Sequence, residues 1–324
     1  MLVSVLLFAV GLVLLIKGGD WFVDGATGIA KRFNLPDIVV GATVVSIGTT
    51  LPEVMVSTAG ALAGSGAMAY GNAIGSIICN TSLIAAISIT CNPGPVNVKS
   101  MKTPAIFFFM SAALYCFASY VLGEFPRWMG FVMLSIFVVY MILTVRNGMA
   151  NPDTADEEEE GEQKERKLWQ ELLLLVVGAA VIAVGADLLV DHGQIIALEL
   201  GVPETVVALL FVALGTSLPE LVTTITSLKK GRASLGVGNV IGANVFNLVL
   251  VSGVAVSLAP FPVPCENFLL DTGLNMSLVF EIPVMLGVMS LMIFPALAAK
   301  KLGRWQGILL LCIYAAFCVC QFVL

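Results

Sequence analysis

Two glutamates, Glu53 and Glu220, stand inside long apolar runs of the sequence. Each ends the same short motif, Gly-Thr-Thr-Leu-Pro-Glu at 48–53 and Gly-Thr-Ser-Leu-Pro-Glu at 215–220. A charged side chain at the centre of a bilayer costs ~2.5–3.5 kcal/mol even on lenient insertion scales. Because this cost recurs at two equivalent places, we expect both carboxylates to bind a cation rather than to serve helix packing alone.

Hydroxyl groups and freed carbonyls accompany each glutamate. Thr49 lies four residues before Glu53, so the two side chains share one helical face, and Thr216 stands in the same relation to Glu220. Two further hydroxyls could contribute from the adjacent face, those of Thr50 and Ser217. The glycine and proline of each motif predict an interruption of regular helix, which frees carbonyl groups. The candidate carbonyl ligands are those of Ser46 and Ala213.

A second pair of motifs carries amides, at 71–80 and 238–247. Ser76 and Asn80 share a helical face, and Asn247 is the counterpart of Asn80. Pure packing motifs would need no asparagine inside the membrane, so cation binding is favoured over an interhelical hydrogen bond for Asn80 and Asn247. The two alternatives are evenly weighted for the other asparagine pair, Asn72 and Asn239.

The combined ligands are carboxylate, hydroxyl, amide and carbonyl oxygens, without histidine or cysteine. Such a set suits the hard cations Ca²⁺, Mg²⁺ and Na⁺. A flexible protein cage suits Ca²⁺ better than Mg²⁺, which dehydrates reluctantly. A site that also accepts Na⁺ would let the two ions compete, which is the minimum requirement for exchange.

Apolar helices must position these ligands. The 324 residues are 58% hydrophobic and 12% charged, whereas soluble proteins carry about 25% charged residues. This composition excludes a cytosolic enzyme, a disordered chain and a nucleic-acid-binding protein. We expect an all-α membrane protein, because ten stretches are long enough to span a bilayer. They lie at roughly 1–19, 37–62, 70–90, 104–123, 127–145, 168–190, 203–227, 236–258, 278–298 and 304–323.

A charged segment at 146–167 contains eight of the 22 acidic residues and separates two halves of five spans, 1–145 and 168–324. With ten spans, 15 of the 16 basic residues fall on one side of the membrane and only Arg127 falls on the other. The positive-inside rule therefore predicts a multi-pass plasma-membrane protein with the 146–167 linker in the cytoplasm and both termini outside.

The two halves are repeats of each other. A shift of 167 residues aligns 36–84 with 203–251 without a gap, and 16 of 49 positions are identical. Five spans per repeat is an odd number, so the second copy must be inverted in the membrane. Inverted repeats are typical of secondary transporters with a site near the midplane, although some channels also use them.

The same shift pairs Asp20 with Asp187 and Asp24 with Asp191. We interpret these acids as solvated helix ends; the alternative is that they attract cations to the two mouths of a pathway.

Neither a phosphate-binding loop nor a soluble domain able to bind ATP is present, and the single histidine cannot complete a catalytic set. We therefore expect no enzyme activity, no cofactor, and no nucleotide or nucleic-acid partner. Transport should use ion gradients or passive flow. The partners expected are the lipid bilayer and the transported ions, and the sequence is compatible with a monomer.

The paired Gly-Thr-(Thr/Ser)-Leu-Pro-Glu and Gly-Asn-x-Ile-Gly motifs resemble the two repeats of the cation/Ca²⁺ exchanger superfamily, most closely the small archaeal Na⁺/Ca²⁺ exchangers. The resemblance implies electrogenic exchange at sites between spans 2, 3, 7 and 8, with spans 1 and 6 sliding across them. It implies that Ca²⁺ is held by Glu53, Glu220, Thr49 and Thr216. It implies that Na⁺ is held in part by Thr50, Ser76, Ser217 and the carbonyls of Ser46 and Ala213.

Two departures from the family pattern bear on the ions. Ala243 stands opposite Ser76, where relatives often have serine in both repeats, so one Na⁺ site has lost a hydroxyl. Asn247 stands where many relatives have aspartate, which weakens the case for K⁺ co-transport. Na⁺/Ca²⁺ antiport by alternating access is the resulting hypothesis; its alternatives are H⁺/Ca²⁺ exchange and, less favoured, a cation channel.

Overall fold

The computed structural model describes residues 2–150, 166–200, 215–264 and 275–323, and these are almost entirely helical. Nine of the described helices are long and apolar enough to cross a membrane. The helices run as α1 Leu2–Arg32, α2 Asp37–Leu62, α3 Gly66–Cys91, α4 Val98–Leu122, α5 Arg127–Ala150, α6 Leu168–Glu199, α7 Leu218–Lys229, α8 Ala233–Leu258, α9 Ser277–Ala299 and α10 Arg304–Val323. For α7, these bounds cover only the part that follows residues 201–214, which are not described.

Helices α1 and α6 are longer than the spans predicted for them. The predicted spans end near residues 19 and 190, whereas α1 continues to Arg32 and α6 to Glu199. Hydropathy marks where a helix leaves the hydrocarbon, whereas backbone hydrogen bonding continues until a terminating residue. Helix α5 likewise runs to Ala150, inside the predicted 146–167 linker, and residues 151–165 of that linker lie outside the described ranges.

Three of the long helices contain an internal π-helical turn, near the start of α2 and past the midpoint of α3 and α8. The turns in α3 and α8, Asn80–Ala85 and Asn247–Val251, begin at repeat-equivalent asparagines. The turn in α2 is Gly41–Val45. Such turns widen the backbone locally and are frequent at functional sites.

Short strands join the two repeats on each side of the protein. Strand β1 (Gly94–Pro95) pairs antiparallel with β4 (Lys301–Leu302), and β2 (Glu124–Phe125) pairs with β3 (Phe261–Pro262). Strand β1 follows α3, and its repeat equivalent β3 follows α8. Because five helices lie between β1 and β3, the two pairs belong to opposite sides, as an inverted repeat requires.

Arginine side chains reinforce both junctions. Arg304 follows β4 and its Nε donates to the carbonyl of Thr90 near the end of α3, at 3.0 Å. Arg127 follows β2 and its Nη2 donates to the carbonyl of Leu258 at the end of α8, at 3.1 Å. A cation at a helix C-terminus satisfies unbonded carbonyls and complements the helix dipole. This contact accounts for the one basic residue that the charge pattern leaves on the opposite side.

Two packing units can be distinguished. A large apolar core joins α2–α5 with α8–α10, and a smaller cluster joins α1, α6 and the start of α2. Helices α1 and α6 approach closely through glycines: a Cβ on Gly11 would lie 2.8 Å from the carbonyl oxygen of Gly185. A Cβ on Gly18 would lie 2.9 Å from the amide nitrogen of Ile182. Such contacts place the two backbones against each other, so α1 and α6 form a tight pair.

Candidate cation site

The two motif glutamates lie in the interior, on helices of different repeats. Glu53 is in α2, Glu220 is in the first turn of α7, and both are 0% exposed. All four carboxylate oxygens lack a hydrogen-bond partner among the described residues. The two carboxylates are close enough to interact electrostatically. Two buried carboxylates near each other and without protein partners strongly favour a bound positive charge.

Threonine and asparagine side chains make hydrogen bonds across the two repeats. Thr49 Oγ1 donates to Asn239 Oδ1 at 3.2 Å, and Thr216 Oγ1 donates to Asn72 Oδ1 at 3.3 Å. The 167-residue shift exchanges these two bonds, so they are repeat equivalents. By sequence, Asn72 and Asn239 suit a ligand role and a structural role equally. The structure gives each an interhelical bond that orients a predicted threonine ligand.

Further bonds hold this arrangement from α2. Ser46 Oγ lies 2.8 Å from the carbonyl oxygen of Gly41 and 2.9 Å from that of Asn239, so its one proton is shared between two acceptors, and this contact ties the π-helical turn of α2 to α8. Asn72 Nδ2 donates to Ser57 Oγ at 2.8 Å. Polar contacts therefore fix α2 against both α3 and α8.

Other predicted ligands are buried without partners. Asn80 and Asn247 are both 0% exposed at the first residue of their π-helical turns. Neither side-chain amide has a hydrogen-bond partner among the described residues, and the same holds for the hydroxyls of Thr50 and Ser217. Thr50 also lies near the Glu220 carboxylate, as does Thr49.

Three other predictions have different outcomes. Ser76 is buried on α3, four residues before Asn80, and Ala213 lies outside the described residues.

The interruption expected at Gly48 and Pro52 is wrong, because regular helix runs through Ser46–Leu62 and the irregular turn precedes it. Pro52 lies inside this helix, and its missing N–H leaves the Gly48 carbonyl without its usual donor. At the equivalent place in the second repeat, Thr216 and Ser217 form a turn before α7 begins.

The kinds of donor bear on whether a hard cation fits. Carboxylate, hydroxyl and amide oxygens on α2, α3, α7 and α8 are buried and have no hydrogen-bond partner in the part of the chain that the structure describes. Ca²⁺ takes about 6–8 oxygen ligands, with two carboxylates balancing its charge. The unpartnered carboxylate, hydroxyl and amide oxygens of Glu53, Glu220, Thr50, Ser217, Asn80 and Asn247 are of this kind and number.

Comparisons with known proteins agree with this architecture. The sodium/calcium exchanger protein family matches the chain over residues 3–146 and 171–323. An uncharacterized membrane protein of Methanocaldococcus jannaschii is 35% identical over 309 residues, covering 95% of this chain and 94% of that protein. The sodium/calcium exchanger MaX1 of Methanosarcina acetivorans is 29% identical over 355 residues, covering 99% of each.

A solved structure of the sodium-calcium exchanger NCX_Mj, soaked with Na⁺ and Sr²⁺, superposes with a TM-score of 0.80 at 33% identity and covers 97% of each chain. The likeness confirms the predicted fold class, an all-α membrane protein of ten transmembrane helices in two inverted five-helix repeats. It also confirms the resemblance inferred from the motifs. The chain belongs to the sodium/calcium exchanger family of membrane cation transporters.

Proposed function

We propose that the protein is a secondary active antiporter that exchanges Na⁺ for Ca²⁺ by alternating access. The observation that carries this proposal is the pair Glu53 and Glu220, which are fully buried at equivalent places of two inverted repeats and have no hydrogen-bond partner among the residues that the structure describes. A permanently charged pair in the interior is unfavourable unless a cation compensates it. One site with this character can hold Ca²⁺ or Na⁺ in turn, and this competition couples the two fluxes.

The proposed ligands are those predicted from the sequence. Glu53, Glu220, Thr49 and Thr216 would hold Ca²⁺. Na⁺ would be held in part by Thr50, Ser76, Ser217 and the carbonyls of Ser46 and Ala213. Asn80 and Asn247 would complete the central cage from the two π-helical turns. The partnerless state of both amides supports their inclusion.

We propose a plasma-membrane orientation with the basic side in the cytoplasm. We define the basic side as the side that carries the connections after α1, α3, α5, α7 and α9; the opposite side carries the others. Fifteen basic residues on one side support this orientation, which leaves both termini extracellular and the 146–167 linker cytoplasmic. The halves 1–145 and 168–324 would act as the two structural repeats, and a single chain would supply the whole site.

Transport in proteoliposomes tests the proposal. Vesicles loaded with Na⁺ are diluted into Na⁺-free buffer containing ⁴⁵Ca²⁺, and the expected result is Ca²⁺ uptake that requires the outward Na⁺ gradient. Glu53→Gln should abolish this uptake, because one charge of the site is lost. Absence of Na⁺-dependent uptake in the native protein, or full uptake by Glu53→Gln, would contradict the proposal.

The same vesicles separate the alternatives. In H⁺/Ca²⁺ exchange, Glu53 and Glu220 would carry protons, and a pH gradient alone would drive uptake. A cation channel would pass Ca²⁺ down its own gradient without a counter-ion. We expect neither flux, since the site offers hydroxyl and amide oxygens that suit Na⁺ as well as Ca²⁺.

A further inference from the structure

The connection between α7 and α8 carries a lysine that contacts helix α1. Lys230 Nζ lies 2.7 Å from Asp24 Oδ1 and 3.7 Å from Asp20 Oδ1, and it donates to the carbonyl of Asp20 at 2.8 Å. Asp20 and Asp24 are four residues apart and so share one face of α1. These partly exposed aspartates therefore do not stand at a helix end, as the sequence suggested, since α1 continues to Arg32 and a lysine lies against both.

The Lys230 contacts differ from the other ion pairs on the basic side. Arg32 Nε lies 3.3 Å from Glu171 Oε2, which joins α1 to its partner α6. Arg232 Nη1 lies 3.2 Å from Asp37 Oδ2, which joins the start of α8 to the start of α2. Of these ion pairs, only those of Lys230 connect the α1/α6 pair to the remaining helices.

Helix packing beside this contact is tight. A Cβ on Gly19 of α1 would lie 2.8 Å from both Thr226 Oγ1 and Val222 Cγ1 of α7. Thr226 is consequently only 8% exposed, and Thr223 is 0% exposed. Thr223 and Thr226 are thus buried in the half of α7 that lies on the basic side, and α1 packs against the face that carries Val222 and Thr226.

The equivalent positions on the opposite side are exposed rather than buried. Ala59 and Val56 of α2 are the repeat counterparts of Thr226 and Thr223, yet both are exposed, Val56 by 39%. Lys230 corresponds to Ala63, so the counterparts of its aspartates, Asp187 and Asp191, have no equivalent lysine. Arg127 is the only basic residue that the span count gives to that side, and it bonds to the end of α8.

We propose that Lys230, with Asp20 and Asp24, forms a latch that holds α1 against α7 and keeps the basic side closed. The latch rests on the proposed antiport, in which the α1/α6 pair moves across the other helices. It biases the protein toward the conformation that is open on the opposite side. Lys230 acts through the position of α1 and is not itself an ion ligand.

Cysteine accessibility tests the latch without relying on transport. The seven native cysteines are replaced, and a single cysteine is placed at Thr226 or at its counterpart Ala59. The purified full-length protein in detergent, at fixed Na⁺ and Ca²⁺, is treated with a maleimide that reaches both sides. In the parent, Ala59→Cys should react quickly and Thr226→Cys slowly.

Lys230→Met should raise the labelling rate of Thr226→Cys by about fivefold, which corresponds to ~1 kcal/mol for an ion pair of this kind, and should lower that of Ala59→Cys. Lys229→Met is the matched control, because Lys229 is the exposed neighbouring lysine and has no ion pair among the described residues. It should leave both rates unchanged. The charge exchange Asp24→Lys with Lys230→Asp should restore slow labelling of Thr226→Cys.

Unchanged labelling in Lys230→Met, or an equal effect of Lys229→Met, would overturn the latch. If Lys230→Met does not fold, failure of the charge exchange to retain slow labelling would overturn it instead. Na⁺-driven ⁴⁵Ca²⁺ uptake by the same parent protein is measured separately. Loss of that uptake would contradict the proposed antiport, whereas the labelling rates would still report on the latch.

Discussion

Glu53 and Glu220 occupy an environment that orients their neighbours but leaves the carboxylates themselves unsatisfied. The threonines beside them, Thr49 and Thr216, are each bonded to an asparagine of the other repeat. The carboxylate oxygens have no partner among the described residues. A cation could bind these carboxylates, as we propose, without breaking any of the hydrogen bonds described above.

Glu220→Gln should weaken Ca²⁺ binding by about a hundredfold, corresponding to the ~3 kcal/mol lost when one partner of a buried charged contact is removed. Equilibrium ⁴⁵Ca²⁺ binding to the purified protein measures this. Glu281→Gln is the matched control, since Glu281 also lies in a long helix but accepts a hydrogen bond from Ser277 at 2.8 Å. Equal losses in the two variants would contradict the assignment of Glu220 to the site.

Helices of two kinds surround this site. The π-helical turns at Asn80 and Asn247 reposition one residue in each of α3 and α8, while α1 and α6 are uninterrupted helices of 31 and 32 residues. The long pair meets through glycine contacts that bring backbone against backbone. Close contact without interlocking large side chains suits a pair that moves as one unit.

Gly18→Leu should separate α1 from α6, because a side chain at this position would meet the backbone of Ile182 and Gly178. Overpacking of this kind costs ~1–3 kcal/mol, and we expect a lower temperature of unfolding in detergent, followed by intrinsic fluorescence. Gly287→Leu provides the comparison, since Gly287 is exposed on α9 with no atom within 4 Å. A Gly18→Leu protein as stable as Gly287→Leu would show that the α1–α6 contact is not tight.

At the scale of the whole molecule, the two repeats are similar in sequence but different in their surroundings. The strand pairs and their arginines repeat faithfully on the two sides. On the basic side, Lys230 pairs with Asp24 of α1 and Thr226 is buried, whereas Ala59, the counterpart of Thr226 on the opposite side, is exposed. If the two inverted repeats exchanged conformations, the buried positions on the basic side would become exposed and their counterparts on the opposite side would become buried. This exchange is the geometric basis of alternating access.

Ala63→Lys should install a second latch, because Ala63 is the counterpart of Lys230, and Asp187 and Asp191 are the counterparts of its aspartates. With both sides held by ion pairs, we expect Na⁺-driven ⁴⁵Ca²⁺ uptake to slow by about fivefold, the factor for ~1 kcal/mol. Leu62→Lys, at the position equivalent to Lys229, adds the same charge and should leave the rate near that of the native protein. Equal slowing by both variants would indicate a general effect of charge.

Much of this protein could be predicted from its sequence, because membrane insertion restricts the chain so strongly. The lengths of the apolar stretches predict the spans, and five spans per repeat require that the second copy is inverted. The rarity of carboxylates inside a membrane singles out Glu53 and Glu220. The helix ends of α1 and α6 could not be predicted, since hydropathy does not sense hydrogen bonding beyond the bilayer. The course of the helix through Gly48 and Pro52 was also missed, because a proline can be accommodated within a helix as well as end it.

The sequence by itself determined the fold class and the candidate ligand types, since both follow from the cost of placing polar groups in hydrocarbon. Only the tertiary structure shows the hydrogen-bond partners of Asn72 and Asn239, because these lie 144 and 190 residues away along the chain. The same is true of Lys230, whose contact with Asp24 spans 206 residues. Equivalent residues of a repeat share their local sequence but not their neighbours, so the difference between the two sides of the molecule exists only in the folded chain.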